Sequence, residues 1–158
     1  MRTINQKQLD DLIAQAAQSQ RKRTIYRLHE HDEPVQRMIN AVVPGTYVTP
    51  HEHSQPPKVE LLTVLRGQIA VLKFAPDGTV HAVHILAEDG PLHVVDIAPG
   101  EIHSMVALAP SAVLEIVQGP YDPVSHKQFA PFAPAEGQPG TEDYLSKLHQ
   151  IIAGWPVG

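Results

Sequence analysis

The chain has 158 residues, with 12 basic and 17 acidic side chains and a formal net charge of −5. That length gives one domain with room for a real core, and the mild acidity argues against nucleic acid or an anionic membrane as partner. The absence of cysteine excludes disulfides, thiolate zinc sites and cysteine nucleophiles; with no membrane-length apolar run and no signal-peptide core, the chain is expected to be soluble and cytoplasmic.

Leu9, Leu12, Ile13 and Ala16 recur at helical spacing and predict a helix over residues 5–20. Asn5 is placed to cap it, with Gln8 three residues on and Ile4 stapled against Leu9. Arg21-Lys22-Arg23 then reads as a solvated helix end. Ile25–Leu28 is a strand, followed by the polar turn His29-Glu30-His31-Asp32-Glu33. His29 and His31 lack a following glutamate and strand at useful spacing and are not read as ligands. Val35–Val43 is the next strand. On it Arg37 either points into the barrel to hold an anionic substrate or makes a salt bridge at the surface.

The run Gly45–Gly67 organises the chain. Side chains on a strand alternate faces, so His51 and His53 point the same way, with Cα atoms roughly 7 Å apart, while Glu52 points away. Glu60 opens a second strand, Glu60–Leu65, beyond a proline-rich turn that contains Lys58, a second candidate for substrate binding. Two nitrogens and one oxygen make most of a divalent metal site. His103, which follows the Pro99-Gly100 turn, is the candidate fourth ligand.

Asp77-Gly78 between the runs Gln68–Phe74 and Thr79–Ile85 is a hairpin signal. His81 and His84 are three apart, so they face opposite sides and cannot share an ion. Leu92–Ile97 is a strand whose His93 reads as structural. After His103, Met105 and Ala107 share its face and would make the wall partly apolar. In the strand Ala112–Gln118, Glu115 faces either the cavity or a polar outer surface. In the cavity it would act as acid or base, and Tyr121, just beyond, would place a hydroxyl at the mouth. Residues 119–140 are rich in Pro, Gly and Ala and read as irregular chain packed by Phe129 and Phe132. Thr141 caps a last helix with Leu145, Leu148, Ile151 and Ile152 on one face, which packs on the barrel or on a partner subunit.

The two histidine segments resemble the paired motifs of the cupin superfamily. Gly45, His51, His53, Glu60 and Gly67 match the first motif, with a longer turn between His53 and Glu60. Gly100 and His103 match the second, with Ala98 in place of its proline. With the segments Pro34–Ala41, Gly119–Pro123 and Phe129–Pro134, the chain resembles the WbuC family of cupin-fold metalloproteins over roughly residues 5–137. The fold expected is all-β, a single-domain cupin (small β-barrel or jelly roll) with an N-terminal helix and a short C-terminal helix. Its expected parts are a helical segment over residues 1–24, a barrel over 25–118, and a proline-rich segment with the last helix over 119–158.

The expected cofactor is one divalent transition metal (Fe, Mn, Ni or Zn) on His51, His53, Glu60 and His103. The expected partners are a small-molecule ligand and a second copy in a homodimer. The resemblance implies surface-polysaccharide metabolism. Three functions remain open: a metal-dependent enzyme on a sugar-like molecule, a non-catalytic sugar-binding cupin, and an iron-dependent dioxygenase.

Overall fold

The computed structural model describes residues 1–156. Helix α1 (Gln6–Gln18) starts with the expected capping box: Asn5 Oδ1 accepts from the Gln8 backbone N–H, and Gln8 Oε1 accepts from that of Asn5. Ten strands follow before a last helix: β1 (Arg23–Arg27), β2 (Val35–Val42), β3 (His51–Glu52), β4 (Glu60–Arg66), β5 (Gln68–Phe74), β6 (Val80–Ala87), β7 (Val94–Ile97), β8 (Ile102–Ala107), β9 (Ser111–Gln118), β10 (Gln128–Phe129) and α2 (Thr141–Gly154). They form two five-stranded antiparallel sheets, in the orders β1-β2-β9-β4-β7 and β10-β3-β8-β5-β6. None of the described helices is long and apolar enough to cross a membrane.

The inner faces of the sheets meet over Val42, Leu62, Val64, Ile69, Val71 and Leu86, among others. Each sheet is also covered on its outside. Helix α1 lays Leu9, Leu12 and Ala16 against Ile39, Ala41 and Ala112 of the first sheet. Helix α2 lays Leu148 on Ala70, Leu72, Phe74 and Val106 of the second. The last helix thus packs on its own barrel. Truncating Leu148, which is 1% exposed, removes the centre of that contact. Leu148→Ala is expected to cost about 2–4 kcal/mol in urea unfolding; a change below about 0.5 kcal/mol would show that α2 is not part of the cooperative unit.

Gly67 closes β4 onto β5 at φ +80°, and a Cβ there would lie 2.3 Å from the Pro110 carbonyl oxygen. Only glycine satisfies both constraints.

Three local readings change. The helix cap at α2 is Gly140 rather than Thr141, whose hydroxyl instead donates to the Gln138 carbonyl oxygen. The approach to the histidine pair is mostly irregular, with only His51–Glu52 in strand pairing. The proline-rich stretch is not wholly irregular either: β10 zips onto β3, Gln128 opposite Glu52 and Phe129 opposite His51.

Candidate metal centre

The site lies between the sheets at one end of the barrel. His51 on β3 stands opposite His103 on β8 in one sheet, while Glu60 opens β4 in the other. His53 follows β3 by one residue. One ligand atom from each of these four residues lies within 4.8 Å of all the others. All four side chains are buried. Gly100, at φ +78°, turns the chain so that β8 starts just before His103.

The second nitrogen of each ring shows what the first can do. His51 Nδ1 lies 2.9 Å from the Thr49 carbonyl oxygen, His53 Nδ1 2.6 Å from that of His126, and His103 Nδ1 2.8 Å from that of Glu101. A carbonyl oxygen can only accept, so each Nδ1 carries the proton. That leaves Nε2 to face the centre, and in the neutral ring it offers a lone pair there, as in metal-binding histidines. His53 Nε2 and His103 Nε2 stand 3.0 and 2.9 Å from the same Glu60 oxygen, and His51 Nε2 is buried with no partner. Lone pairs facing a carboxylate repel unless a proton or a cation sits among them. Three nitrogens and one carboxylate oxygen, aimed at one point and short of one positive charge, fit a divalent metal.

The protonation pattern agrees. Burial pushes the His51 imidazolium well below its usual range, and the Lys127 charge adds to this. Burial alone would raise Glu60, but hydrogen bonds from His103 and His53 outweigh it and hold the carboxyl well below the usual range. Burial opposes an imidazolium at His103, yet the bond to Glu60 and its charge raise it overall.

A cavity of about 830 Å³ opens onto this cage. Glu115 and Tyr121 line it, as does Met105. Asn40 Nδ2 donates to Glu115 Oε2. Burial, then the neighbouring Glu60 charge, pushes the Glu115 carboxyl up to about 7. Tyr121 is partly exposed, and its ring lies 4.9 Å from that of His31 and 4.8 Å from that of His126.

Arg37 and Lys58 are placed elsewhere. Gln36, Met38 and Asn40 take the inward positions of β2, so Arg37 faces out and pairs with Glu33; the surface salt bridge is the reading the structure supports. Lys58 is buried outside the cavity wall, where Nζ donates to the Pro120 carbonyl oxygen at 3.0 Å. His29 and His31 do line the cavity but stand outside the ligand cluster. His81, His84 and His93 are exposed.

The sequence reading missed the strap that leads into β10, whose His126 and Lys127 line the cavity; Phe129 of β10, expected to pack the chain down, lines it too and is largely exposed. The His126 ring lies 5.3 Å from that of His53, and its Nδ1 is buried without a partner among the described residues. Burial, then the Lys127 charge, pushes the His126 imidazolium down to about 4.

A family model described as "Domain of unknown function (DUF6016)" matches residues 4–86, just over half of the chain. The chain belongs to that family. No curated protein matches it. Among solved structures, the capsular polysaccharide assembling protein CapF from Staphylococcus aureus is similar at 22% identity and a TM-score of 0.58, over 70% of this chain and 32% of CapF. A cupin-like protein from Thermotoga maritima is similar at 18% identity and a TM-score of 0.52, over 68% of this chain and 74% of that one. A sugar phosphate isomerase from a cupin superfamily of Silicibacter pomeroyi is similar at 17% identity and a TM-score of 0.50, over 61% of this chain and 59% of that one. These likenesses give the fold: this DUF6016 member has a single-domain cupin fold, all-β apart from its two terminal helices. Its cage stands where the paired histidine motifs place it.

Proposed function

We propose that this cupin is a metal-dependent enzyme acting on a small oxygenated, sugar-like molecule in bacterial surface-polysaccharide metabolism, in the manner suggested by its resemblance to the WbuC family. One observation carries the reading: four buried ligand atoms converge on a point short of positive charge, and that point opens onto a cavity large enough for a sugar. The likenesses to a capsule-assembling protein and to a sugar phosphate isomerase support the substrate class by analogy of fold.

His51, His53, Glu60 and His103 would hold the ion. When bound, it would supply Lewis-acid polarisation of a carbonyl or hydroxyl oxygen. The chain's own residues then provide the rest. Glu115, with its affinity for a proton shifted to near neutrality, can hold or release one inside the cavity. Asn40 fixes the direction of that carboxyl. Tyr121 supplies a hydroxyl toward the mouth, and Met105 an apolar wall that excludes water.

The test is turnover of a panel of sugars, sugar phosphates and nucleotide sugars by wild type and His103→Ala. Turnover that disappears together with the metal supports the reading. Turnover that persists in a metal-free protein sinks it, and tight binding without product after long incubation moves the protein to a sugar-binding role.

A further inference from the structure

The chain as a whole is acidic, yet basic groups line its cavity. Arg21 and Arg23, on the cavity wall, share the Glu136 carboxylate. Arg27 from β1 and Lys127 from the strap also line the cavity. Neither has an ion-pair or hydrogen-bond partner for its side chain among the described residues. Lys127 is half-buried, and no carboxylate pairs with it among the described residues. It lines the same cavity as His51, Glu60 and His103. A half-buried lysine beside a metal cage is costly unless an anion meets it there.

The strap holds that position firmly. The His126 carbonyl oxygen accepts from His53 Nδ1, and Gln128 and Phe129 pair with β3. Lys127 is therefore bracketed by two attachments to the metal strand. Arg27 stands on β1, in the opposite sheet.

We propose that Lys127 and Arg27 form an anion subsite beside the metal cage, which takes a small polyhydroxylated ligand bearing a carboxylate or phosphate group. The proposal deepens the metal-enzyme reading and rests on it for the placement of the hydroxyl oxygens. The anionic group of the ligand meets the Lys127 ammonium, while Arg27 supplies a forked donor from the other side.

The test is calorimetric titration of zinc-loaded and metal-free protein with D-gluconate, D-glucose 6-phosphate and neutral sorbitol. At least one of the two anions is expected to bind about tenfold or more tightly than sorbitol, the scale of one charge-assisted hydrogen bond. Which anion gains more identifies the carboxylate or the phosphate. Lys127→Met is expected to remove that preference and Lys127→Arg to restore most of it, with sorbitol unaffected. Arg27→Met serves as a second, more exposed variant, expected to weaken the anion in the same direction. Rising salt should weaken the anions alone. The proposal is overturned if neither anion binds more tightly than sorbitol, or if Lys127→Met binds the anions as wild type does. Metal content measured on the same samples separates the two readings. A lysine-dependent preference in protein that takes up no metal leaves the subsite standing and the metal reading fallen. Loaded protein without the preference does the reverse.

Discussion

Removing the metal is expected to lower the melting temperature of the wild-type protein by about 5–10 °C, measured against protein held with metal at a hundred times its dissociation constant. Ligand at that excess contributes about 2.7 kcal/mol to the folded state, and each kcal/mol moves the midpoint of a domain of this size by about 2–4 °C. The cage gives the reason. Without a cation, His51 Nε2 is a buried polar atom with no partner, and two further Nε2 atoms crowd one oxygen of Glu60. Freshly purified wild type is expected to carry about one equivalent of a transition metal, and His51→Ala/His53→Ala none, with no response of its midpoint to added metal. Uptake should release protons, because Glu60 favours the imidazolium form of His103 and a metal on Nε2 displaces that proton. Should wild type take up no metal after reconstitution, the cage is a carboxylate–imidazolium network, and the binding reading moves to first place. An iron content would direct the search to oxygen chemistry, zinc or manganese to isomerase chemistry.

The cage was legible because its ligands sit in two short motifs, which the family resemblance joins across the chain. The His51-x-His53 spacing puts two rings on one face, and Gly100, at φ +78°, marks the turn that leads to His103. The capping box of α1 and the whole of β5 were legible because short-range chemistry sets them. The faces of β2 and β9 were not. Helix α1 covers the outside of this sheet, so Ile39 and Ala41 are buried outside just as Val42 is buried inside. When both faces are apolar, alternation does not say which side a polar residue takes. Arg37 and Glu115 were therefore open to either side, and they settled on opposite ones. The strap was invisible for a different reason. Two residues of strand give no period, and β10 exists only because β3, far away in sequence, offers it an edge. The part played by His126 toward His53 is taken by a backbone carbonyl, which no residue type announces.

Glu115 carries the prediction that joins stability to function. In the metal-free protein its carboxyl is pushed from 4.5 up to about 7 by burial, then by the Glu60 charge. Between those values the folded protein keeps a proton that the unfolded chain has released. Stability must then fall as pH rises across that window, with no penalty below it and the full penalty above it. The shift is worth about 3 kcal/mol at most. Glu115→Gln keeps an acceptor for Asn40 Nδ2 and removes the charge. Urea unfolding of the metal-free variant is expected to show a stability close to wild type at pH 5 and up to about 3 kcal/mol greater at pH 8. The histidines pull the other way. His51 and His126 are both depressed, so they cost stability as pH falls below about 6.5, but wild type and variant share that cost and it cancels in the difference. A cation bound at Glu60 offsets the charge that helps raise Glu115, so the pH-dependent difference should shrink in loaded protein. An equal gain at both pH values would mean that the variant improves packing, and that Glu115 is ionised throughout. A difference that grows with pH and contracts on loading would instead show a carboxyl whose proton the metal site controls, which is what a general acid or base beside a metal requires.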